Sequence, residues 1–291
     1  MTVQWWCSAT GQPWTWGWKA YPGVWLFVGA LAFWYLTPGR RYDGRTVAGA
    51  TDRLTVRPSQ LFWFFTGLLA IWLALDWPIG ALGAGYLASF HTASYILLSL
   101  VAPPCLILGV PEAWVREALQ RPGWGPALRL CGRPWFGLSV FNVVVLVTHV
   151  PGVLDSLMVT QLGALLVDLG WLAGGLLLWF PVMGPSPEVV RLKRPLKLAY
   201  LFASTLAPTI PSAFLTFAQY PLYSTYELAP RVFERLTAQE DQQVAGLLMK
   251  LVGDLPVWFG FGVIFFRWAR EDERQRPPVH PDALRGAGLS R

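Results

Sequence analysis

His91, Tyr95, His149, Asp168, Asp241, Gln242 and Lys250 all lie within, or at the ends of, long apolar stretches of this chain. An ionisable side chain in such a setting is costly and needs a partner or a function. Imidazole and carboxylate suit copper or zinc. His91 and Tyr95 are spaced i, i+4, which puts both on one face of a helix. Met249 and Met158 add sulfur, which monovalent copper prefers. His91, His149, Asp168 and Met249 are therefore candidate metal ligands, with Tyr95, Asp241, Gln242 and Lys250 as rim or support. The plainer reading is structural: an interfacial histidine, core methionines, and a buried Asp168–Lys250 ion pair. The chain carries no nucleotide-binding loop, no zinc-protease motif and no nucleophile elbow, so it is not expected to be an enzyme.

The elements that must position these residues are seven apolar stretches, at about 21–36, 60–75, 83–108, 135–150, 163–183, 196–217 and 244–268. Each approaches or reaches the roughly 17–25 residues that a membrane-crossing helix needs. All but four of the 23 Lys and Arg fall in alternate gaps and in the tail. These are Arg40, Arg41, Arg45, Arg53 and Arg57; then Arg116, Arg121, Arg129 and Arg133; then Arg191, Lys193, Arg194 and Lys197; and finally the arginines from Arg267 onward. Lys19, Arg231, Arg235 and Lys250 are the exceptions. The positive-inside rule then predicts an all-α polytopic membrane protein of seven transmembrane helices, N-terminus outside and C-terminus cytoplasmic. Every candidate polar residue falls towards the outer side, which suggests one extracytoplasmic site.

Composition agrees. A soluble domain could not hide a chain that is 54% hydrophobic and 14% charged. The basic balance fits anionic lipid headgroups rather than nucleic acid. Residues 1–270 read as one transmembrane domain and 271–291 as a disordered cytoplasmic tail. Trp5, Trp6, Trp14, Trp16 and Trp18 suit an outer aromatic belt. Trp114, Val115, Ala118 and Leu119 could form the apolar face of an interfacial helix. Pro103, Pro104, Pro208 and Pro211 break the third and sixth stretches and free backbone carbonyls there. Cys7, Cys105 and Cys131 show no metal-binding spacing, and Cys7 reads as an incidental thiol.

At the motif level the chain resembles the CtaG-type assembly factors of caa-type cytochrome c oxidase. His91-Thr-Ala-Ser-Tyr95, followed by Pro103-Pro104 and Leu108-Gly109-Val110-Pro111, is similar to that family's H-x-x-x-H…PP…LG-x-P. His149-Val-Pro151 is similar to its H-x-P, and Trp179-Phe180-Pro181 to its W-W-P. Tyr220-Pro-Leu-Tyr223 is similar to its Y-x-x-Y. Asp241-Gln242-Gln243-Val-Ala-Gly246-Leu-Leu-Met249 is similar to its D-Q-x-x-A-G-x-x-M. The resemblance implies seven helices in a bacterial plasma membrane and a role in maturing haem–copper oxidase. It also implies copper handled at the extracytoplasmic side, and oxidase subunits or other assembly factors as partners. Two positions depart from the pattern: Tyr95 stands for the second histidine of the third stretch, and Asp168 lies at or beside a family histidine in the fifth. The alternatives are a metal-free membrane scaffold or accessory subunit of the oxidase and, behind it, a copper transporter.

Overall fold

The computed structural model describes residues 3–37, 56–189 and 192–275. Arg40, Arg41, Arg45, Arg53, Arg191, Arg276, Arg285 and Arg291 lie outside the described residues. Among those described there is helix and no strand. The helices are α1 (Pro22–Leu36), α2 (Pro58–Leu75), α3 (Ile79–Gly85), α4 (Ala88–Gly109), α5 (Glu112–Gln120) and α6 (Trp124–Cys131). They continue with α7 (Pro134–Thr148), α8 (Pro151–Met158), α9 (Gln161–Met183), α10 (Arg194–Phe217), α11 (Ser224–Glu227) and α12 (Ala238–Gln275). A proline at the first or second position starts α1, α2, α7, α8 and α10, where its missing N–H would have no intrahelical partner anyway.

Five helices, α2, α4, α9, α10 and α12, are long and apolar enough to cross a membrane. The pair α6 and α7, bent by 75° at their junction, makes a sixth if taken as one span. α1 is apolar but has 15 residues, about 22 Å of helix against a hydrocarbon core of about 30 Å. On length and composition, then, five or six helices answer to the seven expected. Leu26, Phe33, Leu166, Phe214, Phe259 and Phe266 point outward, giving the molecule the apolar surface of a multi-pass membrane protein.

α4 is the axis of the bundle. In its most apolar stretch 72% is buried, against 17% for α12, and it packs on α2, α3, α9 and α12. Lipid removes most of the hydrophobic drive between helices, so close approach and hydrogen bonds hold them. Ser94 Oγ donates to the Ala74 carbonyl at 2.9 Å, Ser99 Oγ to Trp171 at 3.2 Å, and Ser212 Oγ to Gly246 at 2.9 Å. The prolines shape these contacts. Pro103 and Pro104 remove the donors for the Ser99 and Leu100 carbonyls, and the turn Leu97–Val101 widens to a π-helix. Pro208 does the same to Ser204, and α10 breaks at Thr205. Pro256 does it to Val252, where α12 has a second π turn at Leu248–Val252, a break beyond the two expected in the third and sixth stretches.

At one end of the bundle, Arg116 pairs with Glu112 at 2.8 Å and reaches Glu188 at 3.7 Å, and Arg194 pairs with Glu271. These ties gather the basic segments after α4, after α9 and at the end of α12. Trp114 of α5 packs edge-on against Tyr35 of α1 with centroids 5.3 Å apart. The final helix runs on through Gln275, so residues 271–275, expected in a disordered tail, are helical; the remainder lies outside the described residues. The tryptophan belt also divides: Trp5, Trp16 and Trp18 are exposed, whereas Trp6 is buried and Trp14 packs against the core.

A Cβ at Gly175 would overlap the freed Ser99 carbonyl and the Pro103 ring, whereas one at Gly29 meets open space. Gly175→Ala is expected to destabilise the protein by about 1–3 kcal/mol through overpacking. Gly29→Ala is expected to be neutral or stabilising by up to about 1 kcal/mol. Thermal unfolding of both variants in detergent checks this.

Candidate functional site

The end of the bundle opposite the basic segments holds the polar residues, and Asp241 fixes its geometry. Asp241 follows a capping box in which Thr237 Oγ1 accepts from the Glu240 N–H at 3.2 Å and the Glu240 carboxylate accepts from the Thr237 N–H at 2.9 Å. This starts α12 so that the next side chain points inward. There the Asp241 carboxylate accepts from the Ala88 N–H at 2.5 Å and from the Ser89 hydroxyl. Leu87, at the start of α4, supplies no side-chain cap. Asp241 therefore caps α4 from another helix, setting a negative charge at a helix N-terminus. It is buried, not a rim residue as expected. Gln242 is buried too: its carbonyl oxygen accepts from the Leu222 N–H at 2.6 Å, which pins the chain before α11.

Anchored in this way, α4 presents His91 just inside the bundle, where it meets His149 at the end of α7. The two imidazole centroids are 6.4 Å apart. Trp171 of α9 lies against both, at 4.8 Å from His91 and 6.0 Å from His149. The Trp171 indole donates to Thr148 Oγ1 at 2.9 Å. Tyr95 closes the cluster from below, 5.4 Å from His149. His149 Nδ1 lies 2.7 Å from the Val145 carbonyl, so that nitrogen carries the proton and Nε2 keeps a free lone pair. His91 Nε2, His149 Nε2 and the Tyr95 hydroxyl are all buried without a hydrogen-bond partner.

A roof covers the pair. Tyr223 donates to the His149 carbonyl at 3.0 Å and Tyr226 to the Gly83 carbonyl at 2.7 Å. Tyr220, the other tyrosine of the expected Y-x-x-Y motif, is exposed; the tyrosines that reach the site are Tyr223 and Tyr226. Asp155 holds them there by accepting from the Ser224 and Thr225 hydroxyls, both at 2.7 Å, and from their N–H groups at 3.1 and 2.9 Å. Burial pushes the Asp155 carboxyl up, but these donors outweigh it and hold the group below the usual carboxylate range.

Asp168 lies on the other side of His91. Its carboxylate accepts from the Trp6 indole at 2.7 Å, so the expected pair with Lys250 does not form. Lys250 instead pairs with Asp254 at 2.9 Å and donates to Thr209 at 2.7 Å. Met249 also stands apart, in a small cavity below Tyr95 that Asp254 and Ser204 share. Met158 is the methionine that joins Asp168 and His91, in a cavity whose wall includes Cys7. Among the described residues, no three His, Cys, Asp or Glu side chains stand together closely enough to hold a metal ion. Sequence reasoning missed Asp155, Cys7 and Asp254. Of these Asp254 carried a legible signal, a carboxylate at i+4 from Lys250 within one apolar run.

This arrangement brings His91 and Tyr95, His149, Tyr223 and Asp241, from four of the five motifs, to one end of the bundle, while Trp179-Phe180-Pro181 lies at the far end of α9. The model of the cytochrome c oxidase caa3 assembly factor family matches residues 33–271. The chain belongs to that family. No curated protein and no solved structure matches it. The span matched to the caa3 assembly factor family takes in α2 to α11 and α12 as far as Glu271, and with them every helix around the histidines; the segment before α1 lies outside it.

Asp241→Ala leaves the start of α4 uncapped and is expected to lower stability by about 1.5–3 kcal/mol, the worth of hydrogen bonds to a charged group; denaturation in detergent reads this. The Asp155 contribution has the sign of a depressed carboxylate. It is fully present above the unfolded value of about 3.9 and is lost as pH falls through the lower folded value. Asp155→Asn should therefore flatten the loss of thermal stability between pH 5 and pH 2, within about 1 unit of those values.

Proposed function

We propose that this protein is a membrane-embedded assembly factor for a haem–copper oxidase that receives copper as cargo at the histidine end of the bundle. The family membership supports the oxidase role. The supporting observation for copper is the pair of imidazoles from α4 and α7, both buried and both with a bare Nε2. A buried polar atom left unpaired costs about 1–3 kcal/mol, which a ligand would recover. With metal–nitrogen bonds of about 2.0–2.1 Å, two imidazoles sharing an ion in line have ring centres roughly 6 Å apart, close to the 6.4 Å here. Two nitrogens in line suit monovalent copper and would leave zinc under-coordinated. A sparse ligand set also suits a protein that must release what it binds.

In this reading the bundle sits in a bacterial plasma membrane with seven crossings, α1 included, and with its basic end in the cytoplasm. The histidine end then faces outward, where oxidase subunits or other assembly factors would take up the copper. His91 and His149 hold the ion, Trp171 and Tyr95 exclude water, and Asp241 and Asp155 position the helices. No bond of a substrate is made or broken, so the protein is not an enzyme. A metal-free scaffold is the second reading; the lack of any three-donor cluster among the described residues favours it.

Replacing the chromosomal copy by His91→Ala/His149→Ala tests the proposal. The variant is expected to reach the membrane at normal levels while the purified oxidase loses at least half its copper per haem. Normal copper per haem would overturn the copper role and leave the scaffold.

A further inference from the structure

The segment before α1 is strapped across the histidine end of the bundle. The Trp5 N–H donates to the Gln161 side chain at 2.8 Å and the Ala9 N–H to the Met158 carbonyl at 2.9 Å. Trp6 reaches Asp168, and Tyr86 donates back to the Gln12 carbonyl at 2.8 Å. The strap inserts Cys7, which is buried and unbridged, its thiol donating to the Leu75 carbonyl at 3.1 Å. Cys7, Met158, His91 and Asp168 line one small cavity. His91 Nε2 has no hydrogen-bond partner, and the cavity wall carries a thiol, a thioether and this imidazole.

We propose that this cavity is a monovalent-copper site in which Cys7 and Met158 supply the sulfur and His91 the nitrogen. The inference rests on the copper reading above and adds to it the ligand class and the role of the strap. The set is the soft one that selects Cu(I) over zinc and over hard cations. Binding displaces the Cys7 proton. The S–H bond breaks, a Cu–S bond forms, and the proton passes to the Asp168 carboxylate on the same wall. No electron moves. The ion and the thiolate then form a pair with no net charge, as an apolar surrounding requires. His91 belongs to this cavity and to the pair with His149 at once, which gives copper two adjoining stations with one shared ligand. Because Cys7 rides on the strap, a bound ion ties the strap to the bundle.

The test uses full-length protein in detergent, with Cys105→Ser/Cys131→Ser so that Cys7 is the sole thiol. The probe is Cu(I) alone, kept reduced by ascorbate. Copper-edge X-ray absorption is expected to report sulfur neighbours, and copper is expected to slow alkylation of Cys7 at least tenfold. Adding Cys7→Ser, which keeps the hydrogen bond to Leu75, should remove the thiolate scattering and weaken Cu(I) binding at least tenfold. Met158→Leu should weaken it as well, without unfolding the chain. Copper bound with nitrogen neighbours alone, and unchanged by Cys7→Ser, would overturn this site while leaving the histidine reading intact. No bound copper in the parent protein would overturn both.

Discussion

A carboxylate buried in an apolar bundle must find donors, and the Asp241 carboxylate finds them at the first turn of α4. The rest of the structure follows from that clasp. It fixes α12 against the most buried helix of the molecule. It sets the depth of His91, which lies on the first turn it anchors. Its neighbour Gln242 fastens the chain that carries Tyr223 and Tyr226 over the histidines. Removing the charge would loosen the axis, the site and its roof together, since all three share one anchor.

The prolines act on the same helices by the opposite means, subtracting hydrogen bonds. Each of α4, α10 and α12 loses backbone donors near mid-length, and each answers with a π turn or a break. The Ser99 carbonyl freed in α4 faces Gly175, which lets α9 come close enough to set Trp171 beside His91. Thus a proline on one helix, a glycine on another and an indole beside two imidazoles form one chain of causes.

Much of this was legible in the sequence. The apolar stretches and the alternation of basic gaps gave the helical membrane build, and the ordered motifs gave the family. The meeting of His91 and His149 followed from their common depth. The departures have physical reasons. The expected Asp168–Lys250 pair fails because each residue has a nearer partner: Trp6 comes from the strap, and Asp254 lies one turn along the same helix. Asp241 and Gln242 read as rim residues because position along a helix does not report which way a side chain points. Met158 rather than Met249 shares a cavity with His91 and Asp168, and Met249 sits in the π turn at Leu248–Val252, which no hydrophobic periodicity reveals. Cys7 was invisible as a site residue because the strap that inserts it lacks any periodic pattern.

The copper role turns on whether two buried imidazoles, 6.4 Å apart and each with an unpartnered Nε2, exist to receive a metal. The most direct measurement is bound copper per chain after loading the detergent-purified protein with Cu(I) and desalting, in wild type and in His91→Ala/His149→Ala. Stoichiometric copper in the wild type, lost in the double variant, is the expected result. Wild-type protein with no copper above background would contradict it and leave the histidines as packing.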